Sequence, residues 1–172
     1  MIAMNVSIVG FMGTGKTAAG KALAKKLGMR YLDTDEIIEK NAGMKISDIF
    51  SNFGEPYFRD LEAKVVKEIS EKDKQVISCG GGVVLREENM KNLKRSGPVL
   101  CLTASPEAIF NRIKNEIHRP LLRVPDPEKR IKELLAARAP YYAKADHTID
   151  TTKLTMTQVV DEITALVKAA AE

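Results

Sequence analysis

Short apolar runs alternate with longer amphipathic stretches along this chain. The apolar runs predict five β-strands at about Asn5–Val9, Arg30–Asp33, Gln75–Cys79, Val99–Thr103 and His147–Asp150. The amphipathic stretches predict helices at about Thr17–Leu27, Asp35–Asn41, Ile46–Asn52, Glu55–Ser70, Glu87–Lys94, Pro106–Lys114, Glu128–Arg138 and Thr157–Ala170. This alternation predicts an α/β fold, in which right-handed crossovers place helices on both faces of a parallel sheet.

Local signals set several of these boundaries. Gly28 is predicted to end the first helix as its C-cap, and Ser105 to cap the start of a later helix. The helix at 128–138 is predicted to stop before Pro140, because the residue ahead of a proline is driven away from helical geometry. The proline-rich segment 115–127 is predicted to be irregular.

A glycine-rich loop follows the first predicted strand. Gly10–Thr17 fits the phosphate-loop pattern G-x-x-x-x-G-K-[ST] at every fixed position, between a strand and a helix. Its glycines let successive backbone N–H groups converge on a polyphosphate, which also meets the positive end of the helix. Lys16 adds a mobile charge and Thr17 a hydroxyl for Mg²⁺. The residues predicted to contact ATP are Gly13, Thr14, Gly15, Lys16 and Thr17.

Ligands of open parallel sheets gather at the carboxyl ends of the strands. Asp33 and Asp35 follow the second strand, so we predict one acid near a metal and one near an acceptor. Helix capping by Thr34 or Asp35 is the structural alternative. Gly80–Gly82 follows the third strand and exposes backbone N–H groups to a ligand. Residues 104–105 and 150–151, at the carboxyl ends of strands four and five, are expected at the same edge of the sheet.

Two arginines are candidates for binding an anionic acceptor. Arg59 lies between Glu55 and Glu62 at helical spacing, so two acids could orient it as an anion clamp. Surface ion pairing is the alternative interpretation. Arg138 lies at a predicted helix C-terminus, where interaction with the helix dipole is the alternative.

The segment 115–127 is a candidate lid over a bound nucleotide. Arg119 within it would then reach the transferring phosphate. A solvated loop arginine is the alternative.

Composition narrows the class of protein. A chain of 172 residues with 44% hydrophobic and 29% charged residues predicts one globular domain, 1–172. The net charge is +4 without a Lys/Arg block longer than two, which favours small anionic ligands over nucleic acid. An apolar run long enough to span a membrane and a basic leader are both missing from the sequence, and Cys79 and Cys101 lie in apolar runs. We therefore expect a cytoplasmic protein with reduced, buried thiols.

Over nearly its whole length the chain resembles the shikimate kinases. The resemblance rests on the glycine loop, Asp33-Thr34-Asp35, Phe58-Arg59-x-x-Glu62, Gly80-Gly81-Gly82, Arg119-Pro120-Leu121-Leu122 and Arg138-Ala139-Pro140-x-Tyr142. It implies a phosphate-loop kinase fold with a sheet ordered 2-3-1-4-5 and a short lid. It also implies transfer of the γ-phosphoryl group of ATP to the 3-hydroxyl of shikimate, a step of aromatic amino-acid biosynthesis.

The resemblance also implies a role for each site residue. Lys16, Asp35 and Arg119 would be catalytic, and Asp35 the candidate base. Arg112 and Arg119 would join the loop in binding ATP, while Thr17 and Asp33 would hold Mg²⁺. Shikimate would be bound by Asp35, Arg59, Gly81, Gly82 and Arg138, with Glu62 orienting Arg59 and with region 34–62 as the acceptor-binding part. A monomer without membrane or nucleic-acid partners is expected.

One position departs from the family pattern. Where the family often has a proline after the fifth strand, this chain has Thr155-Met156-Thr157, which affects the expected adenine contacts. Another small-molecule kinase, such as a gluconate kinase, and a nucleotide-binding regulator without kinase activity are the two alternatives. The positions of Asp35, Arg59 and Arg138 argue against the regulator.

Overall fold

A five-stranded parallel sheet forms the centre of the protein, which a computed structural model describes at residues 3–116 and 120–172. The strands are β1 (Val6–Gly10), β2 (Arg30–Asp33), β3 (Gln75–Ser78), β4 (Val99–Thr103) and β5 (His147–Asp150). Their order is β2-β3-β1-β4-β5, as the family resemblance predicts. Ile8 of β1 pairs with Ser78 on one side and Leu100 on the other, which makes β1 the central strand.

Helices cover both faces of the sheet. They are α1 (Lys16–Leu27), α2 (Thr34–Ala42), α3 (Ile46–Phe53), α4 (Glu55–Ser70), α5 (Glu87–Ser96), α6 (Pro106–Ile113), α7 (Pro127–Tyr142) and α8 (Met156–Ala170). A 3₁₀ turn at Val83–Leu85, which the sequence pattern did not predict, follows the three glycines. None of the helices within the described ranges has both the length and the apolar character needed to cross a membrane.

The core lies in two layers because successive strand residues face opposite sides of the sheet. Ile8 packs in the layer beneath α1 and α8, whereas Val9 packs in the layer beneath the other long helices. All five residues of β1 are buried, which explains its continuous apolar pattern. The phosphate loop is therefore attached to a strand that is buried along its whole length.

Helix α7 differs from its predicted end. It continues through Pro140 to Tyr142 instead of stopping before the proline. Proline has no N–H to donate and its ring crowds the carbonyl four residues earlier, but the helix continues past it, and Ala143 N–H bonds to the Ala139 carbonyl at 3.0 Å. Burial of Tyr142, which is 7% exposed, favours this continuation.

The segment 115–127 contains a 3₁₀ turn at Pro120–Arg123. Residues 117–119, including the predicted site residue Arg119, lie outside the described ranges. The lid therefore stays a prediction.

Candidate active site

The loop between β1 and α1 is shaped by its glycines. Gly10 has φ +144°, and a Cβ there would lie 2.3 Å from the Leu102 carbonyl oxygen of β4. Gly15 is the N-cap of α1 at φ +95°, so no side chain caps the helix, and its first turn contains no acid. The first N–H groups of α1 are consequently available to an anion, at the positive end of the helix dipole.

Lys16 lies across this loop. Its Nζ donates hydrogen bonds to the carbonyl oxygens of Gly10 at 2.7 Å and Phe11 at 2.9 Å. The Thr14 hydroxyl also donates to the Phe11 carbonyl at 2.7 Å. These contacts fix the loop and hold the ammonium group beside its backbone.

A cavity of about 410 Å³ opens between the loop and the carboxyl ends of β2 and β3. Eight of the predicted site residues line it, from four separate parts of the chain: Gly13, Gly15, Lys16, Thr17, Asp33, Asp35, Gly81 and Arg138. The structure thus brings together the acids, the mobile lysine and one of the two arginines.

The two acids after β2 have different surroundings. Asp33, not Thr34 or Asp35, is the N-cap of α2: its Oδ1 accepts hydrogen bonds from the backbone N–H groups of Asp35 at 2.9 Å and Glu36 at 3.2 Å. The cap shifts because Asp33 has extended geometry at the strand end, whereas Thr34 is already helical. Oδ2 of Asp33 accepts no hydrogen bond from another described residue.

The surroundings of Asp35 bring its pKa closer to neutrality. Burial and the neighbouring Asp33 carboxylate raise the pKa of Asp35 from 3.8 to about 6, while Lys16 and Arg59 oppose the shift. Oδ1 of Asp35 is buried and has no hydrogen-bond partner among the described residues. Because Asp35 lines the cavity, this unsatisfied acceptor is a position to which a ligand could donate a hydrogen bond.

Arg59 is held by the two acids predicted to orient it. Its Nη1 lies 2.9 Å from Glu62 Oε1, and its Nη2 lies 3.3 Å from Glu55 Oε1. Glu62 is fully buried; burial raises its pKa and the Arg59 charge opposes that shift. The guanidinium also lies 5.1 Å from the centre of the Phe58 ring. Arg59 is therefore fixed in direction, which surface ion pairing would not achieve.

The glycine turn after β3 lies between the two candidate arginines. A Cβ on Gly82 would lie 2.3 Å from Arg59 Nη2, and a Cβ on Gly81 would lie 3.5 Å from Arg138 Nη1. Arg138 also lies 5.8 Å from the centre of the Phe11 ring. The N–H groups of Gly81 and Gly82 donate to no other residue in the described part of the chain.

A second cavity, of about 350 Å³, lies on the other side of the loop beside Gly13, Thr14 and Gly15. Arg112 lines it and donates to the Gly13 carbonyl at 3.0 Å and to the Thr151 carbonyl at 2.9 Å. These bonds hold Arg112 against the side of the loop that lines this second cavity.

Two residues have structural roles that the sequence patterns did not assign. Thr151 accepts from Arg112 and donates to the carbonyl of Thr103 at 2.9 Å, which ties the ends of β4 and β5 together. Its place at a strand end was the only sequence signal. Tyr142 donates to the Gly81 carbonyl at 2.8 Å, and its place in the family pattern was the only signal for it.

The stretch that departs from the family pattern begins α8. The side chain of Thr155 accepts from the Gln158 N–H, and the Gln158 side chain accepts from the Thr155 N–H, which is a capping box. Met156 lines the second cavity and its Cε would lie 3.6 Å from a Cβ on Gly15. An apolar side chain thus lies where the family often has a proline.

Comparisons with known proteins agree with this geometry. A family model described as shikimate kinase matches residues 12–168. A shikimate kinase of Thermodesulfovibrio yellowstonii is 57% identical over 92% of both chains, and one of Caldanaerobacter subterraneus is 46% identical over 92% of this chain and 93% of its own.

Solved structures show the same likeness. A shikimate kinase from Acinetobacter baumannii in complex with shikimate has a TM-score of 0.90 at 35% identity, covering 96% of this chain and 93% of that one. A gluconokinase from Sinorhizobium meliloti has a TM-score of 0.60 at 15% identity, covering 99% and 94%, which shows a shared fold alone.

Proposed function

The chain belongs to the shikimate kinase family, whose members are ATP-dependent kinases, and from this we propose that it transfers the γ-phosphoryl group of ATP to the 3-hydroxyl of shikimate. The products would be shikimate 3-phosphate and ADP, in the pathway to the aromatic amino acids. One observation supports this assignment above the others. Lys16, Asp35 and Arg138 line one cavity beside the phosphate loop, so a phosphate donor and an anionic alcohol could meet there.

The acceptor would occupy the cavity between the loop and region 34–62. Arg59 and Arg138 would bind its carboxylate through charge-assisted hydrogen bonds. The N–H groups of Gly81 and Gly82, which donate to no described residue, would add neutral ones. The Asp35 carboxylate would bind an acceptor hydroxyl and take its proton, since a pKa of about 6 leaves it mostly ionised near neutral pH.

The nucleotide would extend from the loop into the second cavity. The first N–H groups of α1, together with Thr14 and Gly15, would bind its phosphates, and Arg112 would lie against the base. Lys16 would neutralise the charge that develops on the transferring phosphoryl group. Catalysis of this kind depends on positioning and charge rather than on a covalent intermediate.

Thr17 and Asp33 fit a magnesium site. Both line the cavity of about 410 Å³ and present oxygen atoms to it. Asp33 retains one carboxylate oxygen that its capping role does not use. Mg²⁺ prefers one or two such ligands together with waters and substrate phosphates. When bound, it would neutralise phosphate charge, while Thr17 and Asp33 would orient it directly or through water.

An acceptor panel tests the proposal. The protein is incubated with ATP and Mg²⁺ together with shikimate, with gluconate or without an acceptor, and both ADP and the phosphorylated acceptor are measured. We expect ADP release that depends on shikimate, with shikimate 3-phosphate formed in equal amount. Product with gluconate but none with shikimate would replace the proposal with the gluconate kinase alternative. ATP binding without acceptor-dependent ADP would favour the regulator.

A further inference from the structure

We propose that Tyr142 is a positioning residue of the acceptor site, which acts by orienting the peptide between Gly81 and Gly82. Its hydroxyl donates a 2.8 Å hydrogen bond to the Gly81 carbonyl from a side chain that is 7% exposed. The inference rests on the proposed function and deepens it, because it names a residue that shapes the site without touching the acceptor.

Helix α7 carries both Arg138 and Tyr142 on one face. The two residues are four positions apart, so in a continuous helix their side chains lie one above the other. Only the continuation of α7 through Pro140 gives this arrangement. One rigid helix therefore presents a guanidinium beside Gly81 and a hydroxyl to the carbonyl of that same residue.

The Tyr142 bond fixes the direction of the next N–H group. The described residues contain no cis peptide, and in a planar trans peptide the C=O and N–H bonds point in opposite directions. With the Gly81 carbonyl held toward Tyr142, the Gly82 N–H points away from it. Gly82 is buried and contacts the Arg59 guanidinium, and its N–H has no partner among the described residues.

The other two carbonyls of this turn are held by its own backbone. The Gly80 carbonyl accepts from Val83 N–H and the Gly82 carbonyl from Leu85 N–H, each at 3.1 Å. Among the described residues, the Gly81 carbonyl is the only one of the three that accepts a hydrogen bond from a side chain of another element. Since glycine has the widest range of backbone angles, this middle peptide would be free to rotate without the Tyr142 hydroxyl.

Tyr142→Phe tests the inference because it removes the hydroxyl and keeps the ring. Tyr141→Phe is the matched control, since Tyr141 is the adjacent tyrosine and is 37% exposed. We expect Tyr142→Phe to raise the KM for shikimate roughly three- to tenfold, the effect of losing one neutral hydrogen bond, with little change in kcat or in the KM for ATP. Tyr141→Phe should change none of these values.

A second measurement does not depend on turnover. In ¹H–¹⁵N spectra of the substrate-free protein, the Gly82 amide signal should move in Tyr142→Phe and stay in place in Tyr141→Phe. A double variant separates two routes of action, because the Tyr142 hydroxyl also lies against the Arg138 side chain. If Tyr142 acts through Gly81, its substitution should raise the KM for shikimate further in the Arg138→Met background, whereas action through Arg138 alone would add nothing there.

Three outcomes would overturn the inference. An unchanged KM for shikimate, equal rises in the KM for shikimate and for ATP, or no added effect in the Arg138→Met background would each do so. In these cases the wild-type protein still phosphorylates shikimate and the proposed function stands. A wild-type protein that fails with shikimate would overturn both.

Discussion

At the residue scale, Asp35 combines a proposed catalytic role with an energetic cost. Burial and the Asp33 carboxylate raise its pKa to about 6, so the folded protein holds the Asp35 proton more tightly than the unfolded chain does. Ionised Asp35 therefore lowers the free energy of unfolding. This cost is absent below about pH 4, grows between about pH 4 and pH 6, and is constant above about pH 6.

Replacing Asp35 by Asn should therefore stabilise the protein and inactivate it. At about pH 7.5, in magnesium-free buffer, Asp35→Asn should raise the free energy of unfolding by about 1–3 kcal/mol, since each pKa unit corresponds to about 1.4 kcal/mol. The gain should disappear at about pH 4, as urea titrations at both pH values can measure. The same variant should lose roughly 100- to 10,000-fold in kcat, the contribution of a general base. Asp73→Asn, at an exposed position, is the control. If Asp35→Asn and the wild type were equally stable at the higher pH, the prediction would be wrong.

Lys16 has a structural and a proposed catalytic task at the same atom. Its Nζ donates hydrogen bonds to the Gly10 and Phe11 carbonyl oxygens. If the side chain is lost, water can donate to these two oxygens instead. Lys16→Met should lower kcat by about 100-fold or more, because charge develops on the phosphoryl group only in the transition state. Steady-state kinetics measure the loss of kcat, and thermal unfolding measures the structural effect of the substitution. Lys25→Met, at an exposed position of the same helix, is the control. A variant that keeps near wild-type kcat would refute the role.

Substitution of Arg59 or Arg138 should weaken acceptor binding and leave nucleotide binding unchanged. Removing one member of a buried charged pair costs about 2–5 kcal/mol, which corresponds to roughly 30- to several-thousand-fold in affinity. Arg59→Met and Arg138→Met should lose shikimate affinity by such factors and keep their affinity for ATP, as calorimetric titrations can determine. Arg130→Met, on the exposed side of the same helix as Arg138, should alter neither affinity. Unchanged shikimate affinity in both site variants would remove the carboxylate clamp.

At the element scale, the glycine turn after β3 determines how closely Arg59 approaches the backbone. A Cβ on Gly82 would overlap the Arg59 guanidinium, which is the end of a flexible side chain and can move away. By contrast, a Cβ on Gly10 would meet the Leu102 carbonyl, which cannot move without disturbing the sheet.

Gly82→Ala should accordingly fold and lose acceptor affinity. Displacing Arg59 from Glu62 should weaken shikimate binding about as much as Arg59→Met does. It should also lower the melting temperature, because Glu62 is fully buried and loses its partner. Calorimetry and thermal unfolding measure both effects. In an Arg59→Met background the Gly82 substitution should add little. A full additional loss there would show that Gly82 acts by a route other than Arg59.

At the scale of the whole molecule, the strand order separates the two cysteines. Cys79 follows β3 and Cys101 lies in β4, with β1 between these strands, and both thiols are free and buried. Burial raises the pKa of both, that of Cys101 to about 11. The thiolate is the reactive form of cysteine. Both thiols are therefore protected from reagents in two ways: burial blocks access to them, and the raised pKa keeps them protonated.

A maleimide should therefore label neither cysteine of the folded protein at about pH 7.5 on a timescale of minutes, and label both in urea. Ser47→Cys, at an exposed position, should react at once and serves as the control for the reagent. Mass mapping without reduction should find no bridge between Cys79 and Cys101. Rapid labelling of the native protein at either position would contradict the packing described for β3 and β4.

Sequence by itself determined most of the architecture and most of the site. The alternation of apolar runs and amphipathic stretches predicted the five strands and the helices between them, because burial of one face sets each period. The phosphate loop and the acids after β2 could be predicted for a similar reason: a parallel sheet brings the ends of its strands to one edge. The spacing of Glu55, Arg59 and Glu62 predicted which acids hold Arg59, and the family resemblance supplied the order of the strands.

Tertiary structure alone decided how these parts meet. Local propensity placed the end of α7 before Pro140, but burial of Tyr142 against the Gly81 turn outweighs the loss of one helical hydrogen bond. Asp33 is the N-cap of α2 because its backbone is still in the extended geometry of the strand. The raised pKa of Asp35 likewise depends on burial and on a neighbouring charge. The end of α7 and the burial of Asp35 depend on contacts between segments distant along the chain, and Asp33 stays extended because it pairs with Ser78 of β3. A pattern of neighbouring residues does not contain these contacts.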